Sequence, residues 1–395
     1  MTPEPIRPEG TDRTVPGTGH ALLSRFHLGG SGPTVAIKDC IDIAGMVSSG
    51  GSAALADAAP AEAHADVVRL LIDAGWQITS RANMHELAYG MTGINEWNGT
   101  PVNPQDPTRM PGGSSSGSAS AVGAGLVDLS IGSDTGGSIR LPAACCGVAG
   151  FKPSFGRVSR NGAWPRYSSI DCVGPFARSM DLIISAMATI APGFDRAAAL
   201  APQAQARVKL VHTDSDAAIL AAVQAAFEAT GWHGEAIGLE GMQGAFEAGM
   251  VLINRETWAA FGHLTGGGRL GADIEKRLTA AGTTSDDAVA GAERVRASFS
   301  AAVDAALVDA DALLLPTLPQ LPPTLAALRD GASVLTLSKL VRPFNLSGHP
   351  ALTVPVPMAG SSLRAGLQLV GRKGDDERIC ALGLHLEQAL KASAA

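Results

Sequence analysis

The stretch P-G-G-S-S-S-G-S-A-S-A-V-G-A-G-L-V-D-L-S-I-G-S-D-T-G-G-S-I-R, residues 111–140, decides the fold of this chain. Sixteen of the 29 residues from Gly112 to Arg140 are Gly or Ser, a proportion that is typical of a flexible linker. Residues 119–127 nevertheless have the apolar composition of a helix, and residues 129–133 alternate like a strand. Glycines also come in pairs at the junctions, where a backbone turns tightly or approaches another group. We therefore predict an ordered segment here and not a linker.

The segments around this stretch alternate between strand and helix patterns. Residues 34–38 are a short β-branched run, residues 61–75 have helical spacing with a terminal glycine, and residues 77–79 resemble a further strand. Such alternation predicts an α/β protein in which at least part of the sheet is parallel.

Composition excludes several classes of protein. The 395 residues carry a net charge of −7, which leaves no basic surface for nucleic acid or an anionic membrane. No apolar run is long enough to span a bilayer, and the first ten residues lack a signal pattern, so a cytoplasmic location is the expectation. The five cysteines and nine histidines show no metal-ligand spacing. We expect neither a metal nor another cofactor.

The string D-T-G-G-S-I-R, residues 134–140, has the parts that acyl transfer needs. Its Gly-Gly pair lets consecutive N–H groups converge on one point, and Ser138 follows at the predicted start of a helix. An N-cap serine is the plain alternative. The elbow string G-x-S-x-G of α/β-hydrolases is absent, so Ser138 needs a distant histidine, such as His349 or His263, or a lysine as its base.

A lysine lies at the end of the strand at residues 34–38. The string V-A-I-K that ends in Lys38 also occurs in protein kinases, where the lysine holds ATP phosphates. The glycine loop, the H-R-D string and the D-F-G string that a kinase needs are all missing. On these residues alone, Lys38 is best interpreted as a solvated lysine at a strand end.

A longer pattern changes that interpretation. Residues 111–159 resemble the amidase signature family, whose members cleave or transfer amides with a Ser–cis-Ser–Lys triad. The resemblance extends to V-A-I-K-D, to N-M-H-E-L-A at residues 83–88, to N-L-S-G-H-P-A near residue 348, and to G-L-Q-L-V-G. It covers most of residues 30–390 and is weakest at residues 190–290.

The resemblance assigns roles to residues of this chain. It implies that Ser138 is the nucleophile, that Ser114 is the bridging serine after a cis peptide bond, and that Lys38 is the base. It implies an oxyanion hole formed by the backbone N–H groups of Thr135, Gly136, Gly137 and Ser138. Supporting, structural positions are expected at Ser115, Asp134 and Arg140.

The resemblance also implies the architecture. We expect a single large α/β domain with a mixed, mostly parallel central sheet covered by helices on both faces. Residues 1–30 are expected to be an irregular lead-in to an amidase domain at residues 31–395. Within that domain, the signature core covers about residues 75–180 and a variable helical segment about residues 190–310.

The substrate is less well determined than the chemistry. The chain is expected to be shorter than the amidotransferase members of the family, and it looks most like small stand-alone amidases such as the indole-3-acetamide hydrolases. These enzymes act on a small-molecule amide, and we expect neither nucleic acid nor a membrane as a partner. The alternative is the A-type subunit of a glutamine-dependent amidotransferase, which would need a partner protein. A non-catalytic protein on the same scaffold is the third possibility, and a homodimer is one state that the family allows. Substrate contacts are expected from Tyr89, Met91, Trp97, Met110 and Trp164.

Overall fold

A central β-sheet organises the protein. The computed structural model describes residues 13–393. Within these residues the strands are β1 (Leu22–Gly29), β2 (Thr34–Lys38), β3 (Gln77–Ala82), β4 (Leu129–Asp134), β5 (Ala149–Lys152), β6 (Cys172–Ala177), β7 (Arg207–Val211), β8 (His233–Ile237), β9 (Ala312–Pro316), β10 (Ala351–Pro357) and β11 (Arg364–Val370). They form one sheet in the order β1-β3-β2-β4-β6-β5-β10-β11-β9-β7-β8.

Helices pack against this sheet. Those of the described residues are α1 (Asp66–Asp73), α2 (Ser116–Gly123), α3 (Arg140–Cys146), α4 (Met180–Ile190), α5 (Arg196–Ala199), α6 (Ala217–Thr230), α7 (Met242–Phe261), α8 (Ala272–Ala281), α9 (Asp286–Ala306), α10 (Leu325–Arg329), α11 (Arg342–Leu346) and α12 (Asp376–Ser393). None of the helices between residues 13 and 393 is both long and apolar enough to cross a membrane.

The strand β2 shows how the sheet is covered on both faces. Val35 and Ile37 pack into an apolar cluster that includes residues of α1 and α4. Ala36, which points the opposite way along the strand, packs into a second cluster with residues of α2. The expected α/β domain, with a mixed sheet and helices on both faces, is confirmed.

The strand directions correct one part of that expectation. Among the described strands, four neighbouring pairs are parallel (β2–β3, β2–β4, β7–β8 and β7–β9) and six are antiparallel. The expectation of a mostly parallel sheet is therefore wrong. Local alternation of strands and helices identifies the class, but it does not determine which distant strands become neighbours.

The N-terminal lead-in also needs correction. Residues 22–29 form β1, which pairs antiparallel with β3 at one end of the sheet. Their side chains alternate between buried and more exposed positions, as expected of a strand with one solvated face. The first twelve residues of the predicted lead-in lie outside the described residues.

The predicted helix at residues 61–75 is shorter than expected. It begins at Asp66, because the preceding backbone is bonded to a neighbouring loop. The N–H of Ala61 donates to the carbonyl of Met46, and the N–H of Ala65 donates to the carbonyl of Asp42. A competing set of long-range hydrogen bonds thus determines where this helix starts.

The predicted variable segment at residues 190–310 continues the same sheet. It contains β7 and β8, which extend the sheet beyond β9. Its long helices α7 and α9 contribute to an apolar cluster with α8 and α11. The division of the chain into a signature core and a variable segment stays a prediction.

Candidate active site

The amine of Lys38 lies inside the protein. Lys38 is the last residue of β2, which lies between β3 and β4 in the sheet. Its side chain is 0% exposed, and Nζ donates hydrogen bonds to the hydroxyl oxygens of Ser114 at 2.7 Å and Ser133 at 2.8 Å. The interpretation of Lys38 as a solvated lysine is therefore wrong, and the contact that the triad requires is present.

The surroundings of Lys38 favour its neutral form. Burial lowers the pKa of the Lys38 amine from its ordinary value of 10.5. The nearby Cys40, Asp171 and Asp134 oppose that shift but do not cancel it. A neutral amine has a lone pair, so Lys38 can accept the proton of a hydroxyl group that is already within hydrogen-bond distance.

Ser114 is held from both sides by backbone contacts. The Gly113–Ser114 peptide bond is cis, as the resemblance implied. The carbonyl of Ser114 accepts a hydrogen bond from the N–H of His85 at 2.9 Å. On the other side, a Cβ at Gly113 would lie 2.9 Å from the backbone nitrogen of Gly93, so only glycine fits between these two loops.

The turn that follows β4 is organised by a carboxylate. The buried Asp134 side chain accepts hydrogen bonds from the backbone N–H groups of Gly137 at 2.8 Å and Ile139 at 3.0 Å. Burial by itself would raise the pKa of the Asp134 carboxyl. Arg140, Lys152 and Asn345 overcome that effect, so the pKa is lowered and the group stays charged. Asp134 is thus the anchor around which residues 135–139 bend.

Arg140 completes this anchor. Its Nη2 donates to Asp134 Oδ1 at 2.9 Å, and both side chains are fully buried. The same guanidinium donates to the side-chain oxygens of Asn345 at 2.7 Å and Gln368 at 2.8 Å. The polar atoms of this ion pair are satisfied within the protein, which supports the shape-holding role expected for both residues.

Ser138 is the member of the predicted triad that reaches the surface. It is 9% exposed, whereas Ser114 is 0% exposed. Ser138 precedes helix α3 by two residues, so it flanks this helix without starting it. An incoming substrate would therefore meet the Ser138 hydroxyl first, with Ser114 and Lys38 behind it.

The predicted oxyanion hole loses one donor. The N–H of Gly137 is occupied by Asp134, so Gly137 is not a free donor as expected. None of the hydrogen bonds between described residues uses the N–H groups of Thr135, Gly136 or Ser138. Three of the four predicted N–H groups are available, because the carboxylate that shapes the turn takes the fourth.

The two serines are neighbours without a direct hydrogen bond. The N–H of Ser115 donates to the carbonyl of Ser138 at 3.3 Å, which joins the two segments through their backbones. Ser115 also donates its hydroxyl to the carbonyl of Ser133 at 3.1 Å, and its supporting role stays a prediction. No hydrogen bond between the hydroxyls of Ser114 and Ser138 occurs in the described part of the chain. Catalytic hydrogen bonds are often long in the absence of substrate and shorten when it binds.

Two of the predicted substrate contacts are aromatic residues that hydrogen bonds hold in the fold. Trp164 donates its backbone N–H to the carbonyl of Cys40, two residues after Lys38. Tyr89 is buried, and its hydroxyl donates to Asn254 on α7. Contact of either aromatic ring with substrate stays a prediction.

The other three predicted substrate contacts, Met91, Trp97 and Met110, differ in their surroundings. Met110 is fully buried in an apolar cluster with Leu141 and Cys145, so its side chain is part of the core. Met91 packs against the same cluster from the outside. The ring of Trp97 is covered by the guanidinium of Arg13, whose Cζ lies 4.6 Å from the ring centroid. Of these three residues, Met110 is the least able to contact substrate, because its side chain is fully buried.

The cysteines are buried, and the described residues offer no group of metal ligands. All five cysteines are buried and unpaired, and burial raises the pKa of the Cys40 thiol. No cluster of His, Cys, Asp or Glu within residues 13–393 could hold a metal ion.

Sequence reasoning missed two residues of the site. Ser133 accepts a hydrogen bond from Lys38, and it lies directly before Asp134 in the Gly/Ser-rich stretch at residues 111–140. Asn345 donates to the carbonyl and the carboxylate of Asp134 at 2.6 and 2.8 Å. The sequence did contain a signal for Asn345, because this residue begins the string N-L-S-G-H-P-A. The 211 residues between Asn345 and Asp134 hide their contact.

A comparison with protein families matches most of the chain to one family model. The family model described as Amidase matches residues 31–228 and 269–380. The unmatched residues 229–268 fall inside the segment that was expected to vary. The match includes every residue of the predicted triad.

Comparison with individual proteins gives similarity along nearly the whole chain. The chain is 33% identical over 426 aligned residues to the A-type subunit of the glutamyl-tRNA(Gln) amidotransferase of Halobacterium salinarum, covering 96% of this chain and 98% of that protein. A solved amidase is similar with a TM-score of 0.79 and 31% identity, covering 91% of this chain and 84% of that one. A chain from an inhibitor-bound vestigial protein complex, which bears on the origins of an s-triazine catabolic enzyme, gives a TM-score of 0.84 and 28% identity. It covers 91% of this chain and 85% of that one.

Proposed function

Because the chain belongs to the amidase family and is an enzyme that acts on amide C–N bonds, we propose that it hydrolyses its amide through an acyl-enzyme on Ser138. The observation that carries this proposal is the 2.7 Å hydrogen bond between the buried Lys38 amine and the Ser114 hydroxyl, beside the turn that presents Ser138. A buried neutral amine next to a serine pair can act as the base that removes a hydroxyl proton.

The proton moves along the three side chains. Neutral Lys38 accepts the proton of Ser114, and Ser114 in turn accepts the proton of Ser138 as its oxygen attacks the carbonyl carbon. The C–N bond then breaks, and Ser114 returns a proton to the departing nitrogen. Water attacks the resulting ester by the reverse route, which releases the carboxylic acid and regenerates Ser138.

The backbone supplies the electrostatic part of catalysis. The free N–H groups of Thr135, Gly136 and Ser138 are the candidates that receive the negative charge on the carbonyl oxygen. Each preorganised donor of this kind contributes about 3 to 4 kcal/mol to lowering the barrier. The Asp134–Arg140 pair contributes by keeping these donors aligned while the charge develops.

A small-molecule amide, cleaved to an acid and ammonia or an amine, is the first candidate substrate. The similarity to a solved amidase over 91% of the chain supports hydrolysis of an amide. Of the three triad residues only Ser138 has exposed surface, which suits a small substrate.

Glutamine is the second candidate, in the reaction of an A-type amidotransferase subunit. The near full-length similarity to the Halobacterium protein favours this candidate more than the first. The alignment covers 98% of this relative, and the expectation that such subunits are longer stays a prediction. A role in an amidotransferase would also require a partner protein, whereas the first candidate would not.

Active-site labelling tests the proposed chemistry. A fluorophosphonate probe should modify Ser138, as located by peptide mass spectrometry, and the label should be lost in Ser138→Ala. Ser298→Ala, which removes an exposed hydroxyl on α9, is the matched control and should label normally. Labelling at another serine, or labelling of Ser138→Ala at the wild-type rate, would contradict the nucleophile assignment.

An ammonia-release screen separates the two substrates. Aliphatic, aryl, arylacetic and urea-type amides are compared with glutamine, using the chain by itself and after affinity purification from its native cell extract. Hydrolysis of small amides by the isolated chain supports the first candidate. Glutamine hydrolysis that requires a co-purifying protein supports the second.

A further inference from the structure

The carboxylate of Asp171 contacts the start of the turn that carries the nucleophile. Asp171 directly precedes β6, whose first residue, Cys172, pairs with Asp134 at the end of β4. This pairing brings Asp171 next to Thr135, the first residue after β4. The Thr135 hydroxyl donates to Asp171 Oδ1 at 2.9 Å, and the Asp171 side chain is 1% exposed. A buried carboxylate therefore holds the first side chain of the turn.

Contacts outside the turn fix this carboxylate. Arg160 Nε donates to Asp171 Oδ2 at 2.8 Å, and Arg160 Nη2 donates to the carbonyl of Pro165 at 2.9 Å. The backbone N–H of Asp171 donates to the hydroxyl of Ser168 at 3.1 Å, and that hydroxyl donates to Glu256 on α7 at 2.7 Å. The ion pair with Arg160 compensates the buried charge, and the surrounding contacts define its position.

The turn has few other side chains by which it can be held. Gly136 and Gly137 have none, and the Ser138 hydroxyl attacks the amide in the proposed mechanism. Asp134 binds the N–H of Gly137 and so anchors the second half of the turn. In the first half, the Thr135 hydroxyl is the side-chain group that can serve as an anchor.

The anchored residue also carries a candidate oxyanion donor. The N–H groups of Thr135 and Gly136, which follow each other in the chain, make no hydrogen bond to another described residue. Such donors stabilise an oxyanion only if they already point to the place where its charge develops. Glycine has a large conformational freedom, so a fixed Thr135 limits the orientations that the next N–H group can adopt.

We propose that Asp171 is a positioning residue that acts through the Thr135 hydroxyl and keeps the N–H groups of Thr135 and Gly136 directed at the oxyanion. Arg160 acts one contact further away, because it fixes the carboxylate of Asp171. The inference rests on the proposed hydrolytic function and adds a residue to the same site.

The charge of Asp171 has a separate effect on the base. Burial lowers the pKa of the Lys38 amine, and Asp171 is one of the groups that oppose this shift. Removal of Asp171 would therefore favour neutral Lys38 further, which is the form that the proposed mechanism requires. A loss of activity follows from the loss of donor alignment and not from this effect on Lys38.

Variants of Thr135 test the proposal while the Asp171–Arg160 ion pair stays in place. Thr135→Val removes the hydroxyl and keeps the backbone N–H. We expect kcat for amide hydrolysis, and the rate at which a fluorophosphonate labels Ser138, to fall roughly 10- to 100-fold, with KM changed by less than about threefold. Thr135→Ser, which restores a hydroxyl, should recover most of the loss. Thr279→Val, at an exposed threonine on α8, is the matched control and should label as wild type. A wild-type rate in Thr135→Val would overturn the proposal.

A double-mutant cycle shows whether Asp171 acts through Thr135. Asp171→Ala should lower both rates at least as much as Thr135→Val does, and the double variant should be no slower than Asp171→Ala alone. Losses that multiply in the double variant would show that Asp171 acts by another route. Asp171→Ala leaves Arg160 without its carboxylate, so urea unfolding accompanies the rates. If Asp171→Ala does not fold, the Thr135 variants decide the question.

The labelling rate keeps this inference separate from amide hydrolysis. The phosphoryl oxygen of the probe gains negative charge as Ser138 attacks phosphorus, so the same donors stabilise it. If the wild type is labelled but cleaves no amide, a slow Thr135→Val supports the positioning role and hydrolysis fails. If amides are cleaved and Thr135→Val equals the wild type in both assays, hydrolysis stands and the positioning role fails. A wild type that is neither labelled nor active would refute both.

Discussion

Replacement of Lys38 by Met should inactivate the enzyme and make its stability depend differently on pH. Methionine can occupy the same buried space but has no basic nitrogen. Loss of the general base should lower kcat by roughly 10²- to 10⁴-fold. The variant also loses the hydrogen bonds to Ser114 and Ser133, which together contribute about 2 kcal/mol at any pH.

The pH dependence follows from the lowered pKa of Lys38. Between that pKa and the ordinary value of 10.5, the folded protein binds fewer protons at this site than the unfolded chain does. The free energy of unfolding of the wild type therefore rises with pH in this window. Each pH unit contributes about 1.4 kcal/mol, so from pH 7 to pH 10 the effect is at most about 4 kcal/mol.

Methionine removes this dependence. The stability of Lys38→Met relative to wild type should therefore be highest near pH 7 and should fall as the pH is raised towards 10. Urea unfolding at pH 7, 8, 9 and 10 measures this difference, with ammonia release as the activity assay. Lys276→Met, which removes an exposed charge on α8, is the control and should change stability by less than about 0.5 kcal/mol.

Two results would refute the reasoning. A Lys38→Met enzyme that keeps a tenth or more of wild-type kcat would show that Lys38 is not the base. A stability difference between variant and wild type that is constant from pH 7 to pH 10 would show that the buried amine is protonated in the folded protein.

Two further predictions concern the turn after β4. Asp134→Asn should reduce the free energy of unfolding by about 3 to 5 kcal/mol, because it leaves the charge of Arg140 buried and uncompensated; a urea midpoint near that of wild type would contradict this. Gly137→Ala should destabilise by roughly 1 to 3 kcal/mol and lower kcat, since Gly137 has a φ of +111° and a Cβ there would lie 2.3 Å from Val341. Gly238→Ala, where a Cβ meets nothing within 4 Å, is the control, and an equal loss in both variants by thermal unfolding would disprove the steric argument.

Local patterns were enough to place the strands and helices predicted between residues 34 and 133. The Gly/Ser stretch was correctly predicted to contain a helix and a strand, now α2 and β4, because its apolar spacing outweighs its linker-like composition. Strand and helix boundaries shifted where other parts of the chain compete for the same backbone groups, as at the start of α1. Strand direction was mispredicted for the same reason, since pairing between distant strands leaves no mark on local spacing.

The sequence by itself determined the family, the α/β class and the three residues of the proposed triad, because these depend on residue types in a fixed local order. Only the tertiary structure decided that Lys38 is a buried amine, that Asp134 occupies the N–H of Gly137, and that Asn345 donates to Asp134. The physical reason is that desolvation and hydrogen-bond competition depend on what surrounds a group in space. The strand and the turn that meet at this site are about one hundred residues apart, and Asn345, which contacts the turn, is about two hundred residues further along the chain.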